Sequence, residues 1–230
     1  MKYVFFLFAF VIYSVDANTQ TPNTATARVE MDRFMVDANG RLLKPPADYN
    51  EEGSPYYSKE FLPGSVTILK GHTYHGLQLK INFHSNEIIF LDQEGNEMVV
   101  AQPVERVVLQ TANGIKTFRS GYGPIDNHDG NSFYEVLDSG SISYLKYTEV
   151  SFSERQPYPN ARFVRTYRDR VLYYAAKGTQ LQKLPKNIEE IPALFAGKEM
   201  KVAELIKKDK LKLKKENDMI QLFRYANLLQ

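Results

Sequence analysis

The sequence predicts a mainly β fold: a curved antiparallel meander sheet or partly open barrel of about nine or ten strands, with C-terminal helices packed against it. Three observations predict it. Between residues 61 and 184, apolar side chains recur at period two in short runs separated by Asn-, Asp- and Gly-containing links. No helical period alternates with those runs, which argues against repeated β-α-β units. From residue 185 onward the apolar spacing changes to that of amphipathic helices.

The chain divides on this basis into four stretches. Residues 1–17 have the pattern of a signal peptide: Lys2 is a short positive region, residues 3–13 are almost purely apolar, and Val15 and Ala17 are the small residues before a cleavage point near Asn18. A retained anchor is the alternative, but the apolar stretch is short against the ~20 residues that span a bilayer. Residues 18–60 are expected to form a flexible leader, "TQTPNTAT", followed by an irregular segment with the turn signals "DANG" and "KPPADYN". Residues 61–184 carry the antiparallel meander, and residues 185–230 a helical segment.

Within the meander, "SVTILK" is the first clear strand, with Val66 and Ile68 on one face. Leu77, Leu79, Ile81 and Phe83 recur at period two and define the next strand. A turn at Ser85 and Asn86 places Phe83 opposite Ile88 and Ile81 opposite Phe90. Ile89 and Leu91 then fall on the other face, which therefore requires a cover. "DQEGNE" supplies the following turn, with Gly95 free to take a positive φ. "VERVVLQTANGIKTFRS" reads as a hairpin around Asn113 and Gly114, and "SFYEVLDSGSISYLKYTEVSF" as two strands around Asp138, Ser139 and Gly140. "SERQPYPNAR" is a larger loop before the last strands.

After Pro185, Asn187 is the expected N-cap, with Glu190 at the third helical position completing a capping box. Pro192 keeps that element short. Val202, Leu205 and Ile206 form one helical stripe, and Met219, Ile220, Leu222, Phe223 and Leu229 a second. These helices are the expected cover for Ile89 and Leu91, or a plug across one open end of a barrel. Their basic side is expected to be an ordinary solvated face, with contact to an anionic membrane surface as the alternative.

Composition narrows the function classes. The chain has 29 basic and 27 acidic residues, so a net charge of +2 gives no general attraction for nucleic acid. Cys is absent, which excludes disulfides, Cys-ligated zinc and thiol nucleophiles. Apart from the leader, no segment is apolar for long enough to be a transmembrane helix of the mature chain. The signal sequence predicts export, with the mature protein in a periplasm or outside the cell.

Candidate chemistry is sparse. His72 and His84 are twelve residues apart, about 40 Å in an unbroken strand, and His75 points the opposite way. They are expected at strand ends or on the surface, and no metal or cofactor is expected. The polar loop "GYGPIDNHDGN" brings Asp126, His128 and Asp129 within four residues, a pattern that suits a general base or a cation site but equally a solvent-exposed turn. The turn is favoured. No G-x-S-x-G motif stands at a strand end, "DSGSIS" reads as a hairpin turn, and "GKEMKVAEL" lacks the spacing of a phosphate loop. Glu135 and Asp138 are expected to face opposite sides, and Glu105 has no obvious partner, so no catalytic residue is assigned. The 15 Tyr and 14 Phe either line an apolar cavity or fill a core with tyrosines on the wet side; the second is favoured.

The ordered series "GSVTILKG", "YHGLQLKINFHSNEIIF", "VERVVL", "IKTFRS", "SFYEVLDSGSISYLKY" and "DMIQLFRYANLL" resembles uncharacterised secreted or envelope proteins of Bacteroidetes-type bacteria. The likeness runs from about Gly64 to Leu229, with Gly64, Tyr74, Gly76, Leu79, Asn82, Asn86, Glu87, Phe133, Tyr134, Gly140 and Leu145 in the matching places. It implies an exported protein of a Gram-negative cell and carries no catalytic assignment. The expected function is non-catalytic binding or scaffolding in the cell envelope, with another envelope protein as partner. The alternatives are a carrier of a small hydrophobic ligand and a hydrolase with an acidic or histidine site.

Overall fold

The computed structural model describes residues 24–43, 49–69 and 71–229. The expected signal peptide at 1–17 lies outside the described residues, as does the first part of the leader. Residues 24–37 of the expected leader and irregular segment are not irregular. Helix α1 (Thr24–Asp37) occupies them, and Met31, Phe34, Met35 and Ala38 lie toward the core at the i, i+3, i+4, i+7 spacing of a helical face. The Phe34 ring meets Phe90 edge-on at 4.8 Å and lies 5.0 Å from Tyr74, whose hydroxyl donates to Asp37. The stripe is short and flanked by turn residues, so composition points to a loop while burial makes a helix.

Twelve strands follow among the described residues: β1 (Arg41–Leu42), β2 (Asn50–Glu52), β3 (Leu62–Ile68), β4 (Thr73–Asn82), β5 (Glu87–Leu91), β6 (Glu97–Val99), β7 (Val104–Thr111), β8 (Gly114–Arg119), β9 (Tyr134–Asp138), β10 (Ser143–Arg155), β11 (Val164–Lys177) and β12 (Gln180–Lys183). They form one sheet in the order β1-β6-β5-β4-β3-β7-β8-β9-β10-β11-β12, not closed into a barrel. All neighbours on that path are antiparallel; β2 adds to β11 in parallel. The sheet exceeds the expected nine or ten strands because elements such as β1 and β2, of two and three residues, are too short to show a period.

Register follows the sheet's faces. Asn82 pairs with Glu87, Ile81 with Ile88 and Leu79 with Phe90, so residues 83–86 form the turn and Phe83 leaves the ladder. The expected pairing is two residues out, yet every apolar side chain stays on its expected face because side chains alternate with period two. Interruptions at Gly64/Val66, Thr67/Ile68 and Tyr144/Leu145 bend the sheet. Gly64 is required there: a Cβ would run into the Val108 carbonyl and the side chains of Leu79 and Leu109.

One transverse row summarises the sheet face under α1. Tyr74, Val66, Val107, Phe118, Glu135, Lys146 and Tyr173 are successive cross-strand partners through β4, β3, β7, β8, β9, β10 and β11. The row is apolar under α1 and becomes charged at Glu135. Beyond it lies a second apolar cluster, where Tyr144 and Ala175 meet the C-terminal segment.

That segment holds a 3₁₀ helix (Ile188–Leu194) and helices α2 (Glu199–Asp209) and α3 (Glu216–Leu228). Asn187 is the N-cap of the first, its side chain accepting the Glu189 N–H, and Pro192 lies inside it. Phe223 of α3 stacks on Tyr144 at 4.7 Å and meets Phe195 edge-on at 5.1 Å. Fully burying a side chain of this kind contributes on the order of 2–3 kcal/mol. Asn227 fastens α3 to the β9–β10 turn: its Oδ1 accepts from the Ser141 hydroxyl and the Ile142 N–H, and its Nδ2 donates to Asp138 and the Ile142 carbonyl. Gly140 permits this approach, since a Cβ there would overlap the Asn227 amide.

The C-terminal helices therefore cover β9 and β10, and they do not cover Ile89 and Leu91 as expected. On that face Ile89 pairs with Lys80, whose buried stem carries its ammonium under the rings of Phe61 at 4.1 Å and Tyr56 at 5.0 Å. The stretch leading into β3 supplies this cover, which a helix-period search cannot see. No described helix is long and apolar enough to cross a membrane.

Candidate functional site

An open cleft of about 400 Å³ lies on this same face where the row turns charged. Its floor is the β10–β11 ladder: Lys146 opposite Tyr173, Thr148 opposite Val171, Val150 opposite Asp169 and Phe152 opposite Tyr167. One wall is the segment that leaves β2 at Gly53 and passes Ser54, Tyr56 and Tyr57; Phe83 closes it from the β4–β5 turn. Backbone bonds hold that wall in place, with Tyr57 N–H on the Ile81 carbonyl and Phe83 N–H on the Pro55 carbonyl.

At one end of the cleft the charges are consumed internally. Glu135 is buried, with one oxygen 2.7 Å from Lys116 Nζ and the other 3.4 Å from Lys146 Nζ. Lys146 also reaches Glu216 of α3 at 3.1 Å, and the Tyr173 hydroxyl donates to the same carboxylate at 2.9 Å. The hydrogen bond to Glu135 holds the Lys116 ammonium above the usual lysine range, against the effect of burial. Burial pulls Lys146 down, but Glu135 and Glu216 outweigh it and the net shift is upward. Burial, and then the bond to Glu216, push the Tyr173 phenol up to about 12. Both lysines are therefore firmly cationic and both Glu135 oxygens are engaged, an arrangement that braces strands against α3. A free acid for proton transfer is a different thing.

The other end is open for contact. Asp169 and Thr148 make no side-chain hydrogen bond among the described residues, and Asp169 is exposed. Burial raises the phenol of Tyr57, and Glu135 adds to the shift. Past the cleft, the Arg165 guanidinium lies between the rings of Tyr49 and Phe152 at 4.1 and 4.3 Å and bonds to Glu154. His84 donates from Nδ1 to the Val150 carbonyl at 2.9 Å and lies against Phe152, so it anchors the turn to β10.

The Asp126, His128 and Asp129 loop sits on the opposite face and does not converge on one point. Asp126 accepts from the Tyr174 hydroxyl at 2.8 Å and from Lys183 at 3.1 Å. Those two bonds, Tyr174 first, hold its carboxyl below the usual range. His128 is buried, with Nδ1 3.1 Å from the Tyr134 hydroxyl and its ring 3.7 Å from that of Tyr147. Burial lowers its pKa against the pull of Asp126, so the ring is neutral near pH 7. Asp129 caps its own turn through the Asn131 N–H. Tyr122 and Ile125 of the loop pack with Tyr134, Leu145 and Tyr174.

The remaining candidates disperse. Glu105 pairs with Arg119 at 3.4 Å. Glu135 and Asp138 do not part to opposite sides as expected: both connect to α3, Glu135 through Lys146 and Asp138 through Asn227 and Arg224. His72 lies beside Tyr74, and His75 is exposed. Among the described residues, no group of three or more His, Asp or Glu is placed to hold a metal ion.

Sequence reasoning missed the cleft. Its one local signal is that "SYLKYTEV" carries both polar and apolar residues on each of its two faces, which an exposed strand does not need. No family model matches the chain, and no curated protein or solved structure matches it.

Proposed function

We propose that this chain is a non-catalytic binding or scaffolding protein of the bacterial cell envelope, exported across the inner membrane, and that the cleft beside the β10–β11 hairpin is where its partner docks. The observation that carries this is the division of labour within the cleft. Its acid and base groups at one end neutralise one another, while Tyr167, Thr148 and Asp169 stand at the other with surface to offer. Aromatic rings beside a few unpaired polar groups are the composition of recognition surfaces. Export rests on the leader at 1–17, and the bacterial envelope on the resemblance of residues 64–229.

A carrier of a small hydrophobic ligand needs an enclosed apolar space. The interior under α1 is instead occupied by Phe34, Tyr74, Phe90 and their neighbours, and the cleft is open and partly polar. A hydrolase needs an acid or histidine free to exchange a proton, and Glu135 and His128 are both committed to structural partners.

Native mass spectrometry of the mature protein, isolated gently from its own cells, tests the proposal. A second protein chain in the complex is expected. A reproducible added mass of a few hundred daltons in its place would favour the carrier, and a bare monomer even after cross-linking would remove the stable partner altogether.

A further inference from the structure

Strand β11 is paired along its whole length with β10 on one side, from Ser143 with Ala176 to Arg155 with Val164. On its other side it is paired only at its ends. Residues 164–166 join β2, and residues 174–177 join β12. No described strand pairs with the seven residues between, 167–173, although both ends of the gap are fixed. Gly53 packs against the Tyr167 carbonyl, where a Cβ would come within 2.9 Å, and the Leu184 N–H donates to the Tyr173 carbonyl.

The orientation of the free groups follows. The carbonyls of Phe163 and Tyr173 both point to this outer side, where they accept from Asn50 and Leu184. The strand is in regular register between them. Alternation therefore sends the N–H and C=O groups of Asp169 and Val171 outward. Residues 168–171 are all exposed. A sheet edge with unpaired main-chain groups, stopped at both ends, is a template for one more strand.

We infer that this gap is a strand-addition site, which takes an extended segment of a second polypeptide with acidic side chains at alternate positions. At about 3.3 Å per residue the gap has room for about four or five residues. Charge selects the occupant. Arg168 and Arg170 lie on the face away from the cleft, and among the described residues only Arg170 is answered, by Glu149 at 2.6 Å. An incoming strand sets every second side chain beside those arginines and the rest over the cleft, next to Asp169 and Val171. A second copy of this edge does not fit. Of the three antiparallel registers that use Asp169 or Val171, two set Arg170 against Arg170, or Asp169 against Asp169 with Arg168 against Arg170, and like charges directly opposite are destabilising; the third, centred on Val171, needs the Tyr173 carbonyl that already accepts from Leu184. The inference rests on the proposed binding function and gives it a partner geometry.

The test uses the full mature chain and a blocked, fluorescent heptapeptide alternating Glu with Thr. Saturable binding is expected, with slowed amide exchange at Asp169 and Val171. Methylating alternate peptide nitrogens should weaken it about tenfold or more, because main-chain bonds carry strand addition. The pair Arg168→Glu with Arg170→Glu should weaken it similarly, and a Lys-for-Glu peptide should then recover binding. These exposed substitutions leave the core intact. Val171→Pro, which removes one outward N–H, is the main-chain control where its circular dichroism shows a folded protein. Binding that is indifferent to N-methylation, or that leaves exchange at Asp169 and Val171 unchanged, overturns the edge site, as does no saturable binding. A concentration-dependent homodimer abolished by Val171→Pro overturns the choice of partner. If native mass spectrometry finds a partner chain that the arginine double variant still retains, the edge site fails while the binding function stands; if it finds no partner chain, the binding function itself fails.

Discussion

The two ends of the β10–β11 hairpin are built from the same two strands in unbroken register, yet they live in different solvents. At the end near β9, Tyr144, Leu145, Tyr174 and Ala175 are buried between the C-terminal helices and the 121–132 loop. At the other end, residues 168–171 are exposed and Phe152 is partly so. Aromatic and β-branched residues populate both ends, so strand propensity does not distinguish them. The difference is made by what lies above and below. A strand pair becomes core only where other elements remove it from water, and the uncovered remainder is left with surface for a partner.

The largest effect should come from breaking the covered end. Phe223→Ala removes a fully buried ring that packs on Tyr144 and Phe195, and denaturant titration should show a loss of about 3–5 kcal/mol. The same truncation at Phe152 should cost about 1 kcal/mol. Equal losses at the two sites would show that the hairpin is one uniform core and that the contrast is only apparent.

Next in size is the fastener. Asn227→Ala leaves the Ile142 N–H and carbonyl, the Ser141 hydroxyl and Asp138 without their shared partner. About 2–3 kcal/mol should be lost. Amide exchange should rise in α3 and the β9–β10 turn, with the exposed half of the hairpin unchanged. If exchange rises throughout β10 and β11, the two ends are coupled.

The smallest effect is a pH dependence on the opposite face. His128 has its pKa lowered by burial, so the unfolded chain binds a proton more readily than the native one. Its contribution is fully present above the ordinary histidine pKa of ~6.5 and is lost as pH falls through that value toward the lowered native pKa. Between pH 7.5 and pH 5 the wild type should lose more stability than His128→Phe. A steeper loss in the variant would mean that His128 is charged in the native state.

Much of the fold was legible in the sequence, and the reasons are local. Leu77, Leu79, Ile81, Ile88 and Phe90 declare one face of a sheet by alternation alone, so a two-residue error in the turn left their burial correct. Pro185, Asn187 and the stripe at Met219, Leu222 and Phe223 announced the change to helices. Helix α1 was hidden because four apolar residues between turn signals are too few to reveal a period. The cleft was hidden for a different reason. Gly53, Tyr57, Phe83, Glu135 and Asp169 are far apart in sequence and are brought together by a parallel β2 contact that no pattern in either strand encodes.

Alternation, turn chemistry and helical stripes are short-range properties, and the sequence by itself determined what depends on them: an antiparallel sheet, its faces and a helical C-terminal cover. Only the tertiary structure decided where that cover lies, which charges neutralise one another around Glu135, and that the edge of β11 stays unpaired between β2 and β12. Those outcomes are set by long-range pairing, where the energy of a contact depends on which distant segment arrives to share it.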